Sequence, residues 1–402
     1  MIMKNIRKVI DGLYYVGGND RKKELFENTL KIHDGVSYNS YVFLDEKTCL
    51  MDTADQDITK EFLENVEASL NGRALDYLVI HHMEPDHCYN IQEILLRHPE
   101  TKLVGNVQTF RYLHNFFPTL NTAGKEIVVK DKDTLSLGKH ELTFFLTPLV
   151  HWPEVMMSFE KTEGLLFSAD AFGAFGALNG HLFDDEIQLD RDWLDQARIY
   201  YTNIVGKYGP QVQNAFKKLP VSDIKMILPL HGPIFRTNLS YALDKYQKWS
   251  TYTPEEKGVM IVYGSMYGNS KEAAEILATK LSENGIRELE IFDVSYTDKD
   301  RLLSEAFRLT NIVLVTPTYN AGIFPGIEEF ILDMQRMNLQ NRTFTLIQNG
   351  SWAPMANKLV KEKLTTLKNV SFTDTELTIQ SALKEENLAT IDTIVEEIKV
   401  SL

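Results

Sequence analysis

Cysteine is nearly absent: Cys49 and Cys88 are the only two in 402 residues. Two thiols cannot build a disulfide framework, nor supply the thiolates of an all-cysteine iron centre. Long apolar runs are missing as well. No stretch reaches the roughly 20 residues that cross a bilayer, and the opening Met1-Ile2-Met3-Lys4-Asn5-Ile6-Arg7 lacks the apolar region of a secretion signal. A cytoplasmic location is the expectation. Positive charge is in deficit, with 42 Lys and Arg against 56 Asp and Glu and a formal net charge of −14. Nucleic acids and anionic membranes both call for dense positive charge, so neither is an expected partner. What is present, 44% hydrophobic and 24% charged, is ordinary globular material, long enough for two domains.

Against that background the stretch Ile80-His81-His82-Met83-Glu84-Pro85-Asp86-His87 stands out. His82, Glu84, Asp86 and His87 put four metal-competent side chains into six residues, directly after the apolar run Tyr77-Leu78-Val79-Ile80. The run reads as a buried strand, so the ligands leave its carboxyl end, where α/β sites lie. An extended loop would point 82, 84 and 86 the same way, with His87 reaching in from the next position. A lone histidine there would be an ordinary turn or core residue; a cluster of this density has no structural purpose. Nitrogen donors mixed with carboxylates suit iron, manganese or zinc.

Three more apolar segments end the same way. Residues 142–146 lead through Pro148 to His151, residues 164–169 to Asp170, and residues 226–230 to His231. Singly, Asp170 reads as a helix N-cap and each histidine as a packed loop residue. Together the seven side chains supply two metals, with Asp170 shared. Around them the pattern predicts a hairpin over 40–44 and 48–53, a helix over 58–70, a helix near 107–116 and strands on either side of it.

Residues 251–257 are polar and contain Pro254, and they read as a linker between a domain over 1–250 and another over 258–402. The second opens on a strand over 258–263 that runs into Gly264-Ser265-Met266-Tyr267-Gly268-Asn269-Ser270 before a helix over 271–284. Hydroxyls and backbone N–H groups at such a turn suit a phosphate, and the helix N-terminus adds favourable charge. No lysine closes the loop and neither nucleotide fingerprint is present, which points to a singly phosphorylated group held by neutral donors. Two later strands give way to Thr316-Pro317-Thr318-Tyr319-Asn320-Ala321-Gly322 and to Gln348-Asn349-Gly350-Ser351-Trp352. The three loops fall after alternating strands of a five-stranded α/β pattern, where a doubly wound sheet binds its ligand.

The order H-x-E-x-D-H, then His, Asp and His, resembles the metallo-β-lactamase fold. Its hydrolases usually carry a histidine where this chain has Glu84. Glutamate there is the mark of the flavodiiron proteins, and the carboxyl-terminal half resembles their flavodoxin-like domain. The resemblance implies an α/β chain, a metallo-β-lactamase-like αβ/βα sandwich followed by a flavodoxin-like doubly wound parallel sheet. It implies one iron at His82, Glu84 and His151, another at Asp86, His87 and His231, and Asp170 as the bridge. It implies FMN held by Ser265, Met266, Tyr267, Gly268, Asn269 and Ser270, by the segment Thr316 to Gly322, and by Asn349, Gly350, Ser351 and Trp352, with Tyr319 and Trp352 near the isoalloxazine. The activity implied is reduction of dioxygen to water, nitric oxide to nitrous oxide, or both. Electrons would come from a separate donor such as rubredoxin or a flavin reductase, and the assembly would be a head-to-tail homodimer. Two departures stand out: Ala353-Pro354 where many relatives carry a second glycine, and Phe26-Glu27-Asn28 where many show a histidine and glycine. Rival readings are a zinc hydrolase with an attached flavodoxin-like module, and an electron-transfer or redox-sensing flavoprotein with a vestigial metal site.

Overall fold

The computed structural model describes residues 5–402; residues 1–4 of the expected first domain lie outside them. The chain forms two compact units, one made of the chain up to Tyr201 together with Pro210–Asp244, the other of Thr202–Gly209 and Lys245–Leu402. Among the described residues no helix is long and apolar enough to cross a membrane.

The first unit is a sandwich of two sheets. Its seven-stranded sheet runs in the order Arg7–Ile10, Leu13–Tyr15, Tyr41–Leu44, Thr48–Met51, Tyr77–Val79, Lys102–Gly105, Glu126–Val128. The predicted hairpin is there, Tyr41–Leu44 antiparallel to Thr48–Met51, and the strands after it are parallel. The second sheet has five strands, Thr134–Ser136, Glu141–Leu146, Met156–Glu160, Leu165–Phe167 and Met226–Leu228 in that order. Facing side chains fill the space between the sheets. Phe167 packs edge-on against Tyr41 at 5.6 Å and Phe43 at 5.7 Å between ring centroids, and truncating such a buried ring costs about 3–5 kcal/mol.

Helix Thr59–Leu70 buries Phe62, Leu63, Val66 and Leu70, the stripe its apolar spacing predicts, and stops where Asn71 takes a left-handed conformation at φ 48°. Helix Val107–Phe116 starts at a capping box. Asn106 Oδ1 accepts from the Gln108 and Thr109 N–H groups, and Thr109 Oγ1 accepts from the Asn106 N–H. The Asn106 amide also donates to the Glu154 carbonyl at 2.6 Å, which ties the helix start to the segment after His151.

The second unit centres on parallel strands in the order Leu289–Asp293, Glu256–Tyr263, Leu309–Tyr319, Thr343–Asn349, with Ser371–Phe372 and Leu377–Ile379 both pairing with the last. The helix after the first of these in sequence spans Asn269–Glu283, two residues earlier than its predicted start. The three loops singled out in the sequence follow Glu256–Tyr263, Leu309–Tyr319 and Thr343–Asn349, which are neighbours in the sheet and not alternate strands. In this unit the Tyr252 carbonyl accepts from the buried Arg342 guanidinium at 2.8 Å, and Asn341 holds the Thr251 carbonyl.

Candidate metal centre and cofactor cavity

The strand Tyr77–Val79 ends at a loop fixed from behind by Asp52. One Asp52 oxygen accepts the His81 N–H at 2.7 Å; the other meets His81 Nδ1 at 2.6 Å, and His81 Nε2 reaches Ser158 Oγ at 2.8 Å. The loop does not stay extended as the alternation supposed. Pro85 opens the short helix Pro85–Cys88 with Glu84 as its N-cap residue, as expected of a proline at the first helical position. The backbone therefore turns between Glu84 and Asp86. In place of three side chains pointing one way, His82 and Glu84 join His151 and Asp170, while Asp86 and His87 join His231.

All seven side chains are buried. Asp170 stands between the two groups: Oδ2 lies 3.1 Å from both His82 Nε2 and His151 Nε2, and Oδ1 lies 3.3 Å from His87 Nε2 and 3.7 Å from His231 Nε2. Glu84 Oε2 is 3.2 Å from His82 Nε2 and 3.1 Å from His151 Nε2, and Asp86 Oδ2 is 3.2 Å from His87 Nε2 and 3.4 Å from His231 Nε2. Each group thus gathers two imidazole nitrogens, a carboxylate of its own and one oxygen of Asp170.

The electrostatics agree with a site made for cations. Burial works against charge on Asp170, Glu84, His82 and His151, and within that group the carboxylates and imidazoles oppose it. Asp170 is kept well below the usual carboxylate range by His82, His151 and His87, and Glu84 is lowered by His151 and His82. Against its own burial, His82 is raised well above an ordinary histidine by Asp170, Glu154 and Glu84, and His151 is pushed up to about 9 by Asp170 and Glu84. Both oxygens of Asp86 and of Asp170, and His151 Nε2, are enclosed without a hydrogen-bond partner, while His87 Nε2 and His231 Nε2 face each other at 3.1 Å. Buried anions of this kind are paired or bind metal. Nitrogen and carboxylate donors in this ratio fit iron, manganese or zinc.

Aromatic rings wall the site. Trp152 stands edge-on to His82 at 5.3 Å between ring centroids; Tyr200, Tyr38 and Phe26 surround His231 at 5.4, 5.7 and 5.8 Å. Glu27 sits at the rim on the tight turn between Leu25–Phe26 and Leu30–Lys31, with φ 47° followed by Asn28 at 55°. Crowding by the protein and then the Glu84 carboxylate push it up to about 7.

Sequence reasoning passed over two acidic groups here. Glu154 is fully buried, and its Oε1 accepts from His82 Nδ1 and from the Met83 N–H, both at 2.8 Å. Asp52 follows the apolar strand Thr48–Met51 in the very arrangement that singled out Asp170. Its carboxylate is spent on holding the loop.

In the second unit a cavity of about 500 Å3 opens at the carboxyl ends of the central strands. Of the expected residues, Ser265, Met266, Tyr267, Asn269, Ser270, Pro317, Thr318, Asn320, Ala321, Asn349, Gly350, Ser351 and Trp352 line it. Gly268, Thr316, Tyr319 and Gly322 are not part of the lining. Gly268, at φ 97°, precedes the helix, and its N–H is taken by Ser265 Oγ at 3.0 Å. Tyr319 packs edge-on to Phe324, in a separate groove with Gly322. Ala353, Met355 and Ser381 complete the wall, and Trp352 and Tyr267, 83% and 90% exposed, flank the opening.

A family model described as ODP family beta lactamase matches residues 36–232, and a flavodoxin model matches residues 261–391. The anaerobic nitric oxide reductase flavorubredoxin of Escherichia coli is 30% identical over 355 residues, which cover 86% of this chain and 72% of that protein. The rubredoxin oxygen:oxidoreductase from Desulfovibrio gigas superposes at a TM-score of 0.90 with 27% identity, over 99% of each chain. The flavodiiron protein from Giardia intestinalis shares the fold at a TM-score of 0.92 with 23% identity, over 100% of this chain and 98% of its own. The two matched regions stand in the order the sequence motifs suggested, the likeness runs the length of the chain, and this protein belongs to the flavodiiron family.

Proposed function

We propose that this chain takes electrons from a separate rubredoxin-type donor, passes them through FMN to two irons, and reduces dioxygen to water or nitric oxide to nitrous oxide. The observation that carries the reading is Asp170, whose two oxygens each serve a different buried pair of histidines. His82, Glu84 and His151 would hold one iron and Asp86, His87 and His231 the other. When bound, iron supplies a redox-active charge with open coordination positions for a small gas, and FMN supplies a carrier of electron pairs that can be released singly.

The chain's own residues do the rest. Asp170 fixes the separation of the two positions and carries negative charge to both. Glu84 puts an anionic oxygen where hydrolase relatives usually have a neutral imidazole, and extra anionic charge favours the higher oxidation state of a redox metal. Glu154 takes the proton-bearing nitrogen of His82 as its partner and so directs the other nitrogen inward. Trp152, Tyr38, Tyr200 and Phe26 keep bulk water from the cluster. In the flavodoxin-family unit, hydroxyls and backbone N–H groups at 265–270 would hold the phosphate, and Trp352 would cover the isoalloxazine. The names of the relatives from Escherichia coli and Desulfovibrio gigas both contain rubredoxin, which supports such a donor. The working assembly in this reading is a head-to-tail homodimer.

Protein produced in iron-rich medium should be yellow and contain about one FMN and two irons per chain. Reduced protein should consume dioxygen or nitric oxide under anaerobic handling. Full zinc occupancy together with no turnover of either gas would overturn the reading.

A further inference from the structure

The two metal groups are matched in the atoms they present and unmatched in what stands behind them. Each offers two imidazole Nε2 atoms, one carboxylate and one oxygen of Asp170. Behind the first, His82 Nδ1 meets Glu154, a fully buried carboxylate, at 2.8 Å. Behind the second, His231 Nδ1 meets the neutral Ser37 carbonyl at 2.7 Å, and His87 Nδ1 is enclosed with no hydrogen-bond partner among the described residues. Asp55 is an acidic group whose charge reaches Asp86, and it is in contact with Lys23 Nζ at 3.4 Å.

An ionised carboxylate behind an imidazole accepts its N–H, fixes the tautomer and makes the opposite nitrogen a stronger donor. A carbonyl fixes the tautomer with less electrostatic effect, and an unpartnered Nδ1 fixes nothing. Glu154 is itself well placed for this. Its Oε1 also accepts the Met83 N–H, its carbonyl is held by Asn106, and its other oxygen is enclosed and unpartnered. Glu154 is fully buried, and among the described residues the metal-competent ring it meets is that of His82.

We propose that Glu154 makes the two positions unequal: the metal held by His82, Glu84 and His151 binds more tightly, and the position of Asp86, His87 and His231 empties first. Glu154 is a positioning residue in this account, since it acts through His82. The inference rests on the assignment of both groups as metal positions.

The test is a chelator titration of iron(II)-loaded protein under anaerobic conditions, counting metal per chain and FMN in parallel. The unmodified protein should lose iron in two steps, with a plateau near one iron per chain. His231→Asn should remove the weaker step and leave the stronger in place. Glu154→Gln keeps the shape and a hydrogen-bonding oxygen but loses the charge. It should weaken the stronger step by about tenfold to a hundredfold, so that the two steps approach each other. Glu154→Asp should restore part of the gap, and FMN content should not change in any variant. Loss of both irons in one step from the unmodified protein overturns the inference while leaving the proposed function intact. So does a Glu154→Gln protein whose stronger step is unmoved, or one in which only the weaker step shifts. Failure to hold two metals at all would overturn the metal assignment as well.

Discussion

The two sites differ in how a protein commits to a ligand. In the first unit the donors are charged, enclosed and locked: seven buried side chains converge from separate strand ends, with Asp52 and Glu154 holding the loop and a ring in place. In the second, hydroxyls, amides and backbone line an open cavity whose largest aromatic, Trp352, is 83% exposed. Carboxylates buried without hydrogen-bond donors, as Asp86 and Asp170 are, call for a cation. A neutral cavity is satisfied by water until its ligand arrives. The first site should therefore lose a whole metal position when a member of one group fails, and both positions only when the shared Asp170 fails, whereas the second should weaken by degrees.

The largest effect expected from that difference is at Asp170. Asp170→Ala removes an oxygen from each group and takes away the carboxylate that does most to raise His82 and His151. Both metals should be lost together, turnover should fall below about a hundredth of normal, and FMN should stay bound. Metal and flavin analysis of one sample checks this, and a variant that keeps a full complement of iron would break the comparison. A smaller loss is expected from Ser265→Asp, which sets a carboxylate against the flavin phosphate. FMN affinity should fall by about a hundredfold, measured by fluorescence titration, with iron content unchanged. Mixing these two variants sharpens the point. Reshuffled head-to-tail dimers should recover about a quarter of normal activity, because half are mixed and each has one working pair. Confirmed mixed dimers without activity would exclude transfer between chains.

Glu84→His tests the choice of metal and not its presence. The histidine restores the hydrolase pattern, so metal content should persist while preference shifts toward zinc and gas reduction is lost. Turnover at the parent rate would show that Glu84 is not a ligand.

The same contrast governs what could be read from the sequence. The seven candidate ligands are legible because each follows an apolar strand, and the structure gathers them into two buried groups. What misled was the local path. Alternation assumes extended backbone, and Pro85 starts a helix that carries Asp86 to the other group. Asp52 obeys the same strand-end rule as Asp170, so the pattern finds both but cannot tell a ligand from a support. Glu154 left only a faint trace, an acid three residues beyond His151, since its role depends on His82 arriving from another strand. In the flavin unit the loops were legible and the individual contacts were less so. Tyr319 sits in the right segment yet turns toward Phe324, and Ser381 comes from a loop with no motif.

The smallest expected effect concerns a carboxylate that the protein satisfies without any metal. Asp45 lies in the same unit, and its oxygens accept the N–H groups of Glu46, Lys139 and His140 and meet the His140 ring nitrogen at 2.8 Å. Those donors outweigh its partial burial and hold it down at about 2, below the ordinary 3.8. A carboxyl lowered on folding stabilises the folded state above its unfolded value and loses that contribution as pH falls through its folded value. The full shift would be worth about 2 kcal/mol, and screening by solvent at this partly exposed position brings the expected figure nearer 1 kcal/mol. Asp45→Asn should therefore lower stability by about that amount at pH 7, and the gap to the parent should narrow between about pH 4 and pH 2. Denaturant unfolding of the two proteins across that range measures it. Metal content should be the same in both, since Asp45 leaves no orphaned oxygen for a cation to take. A gap that is constant with pH would mean that the asparagine disturbs packing and that the charge contributes nothing.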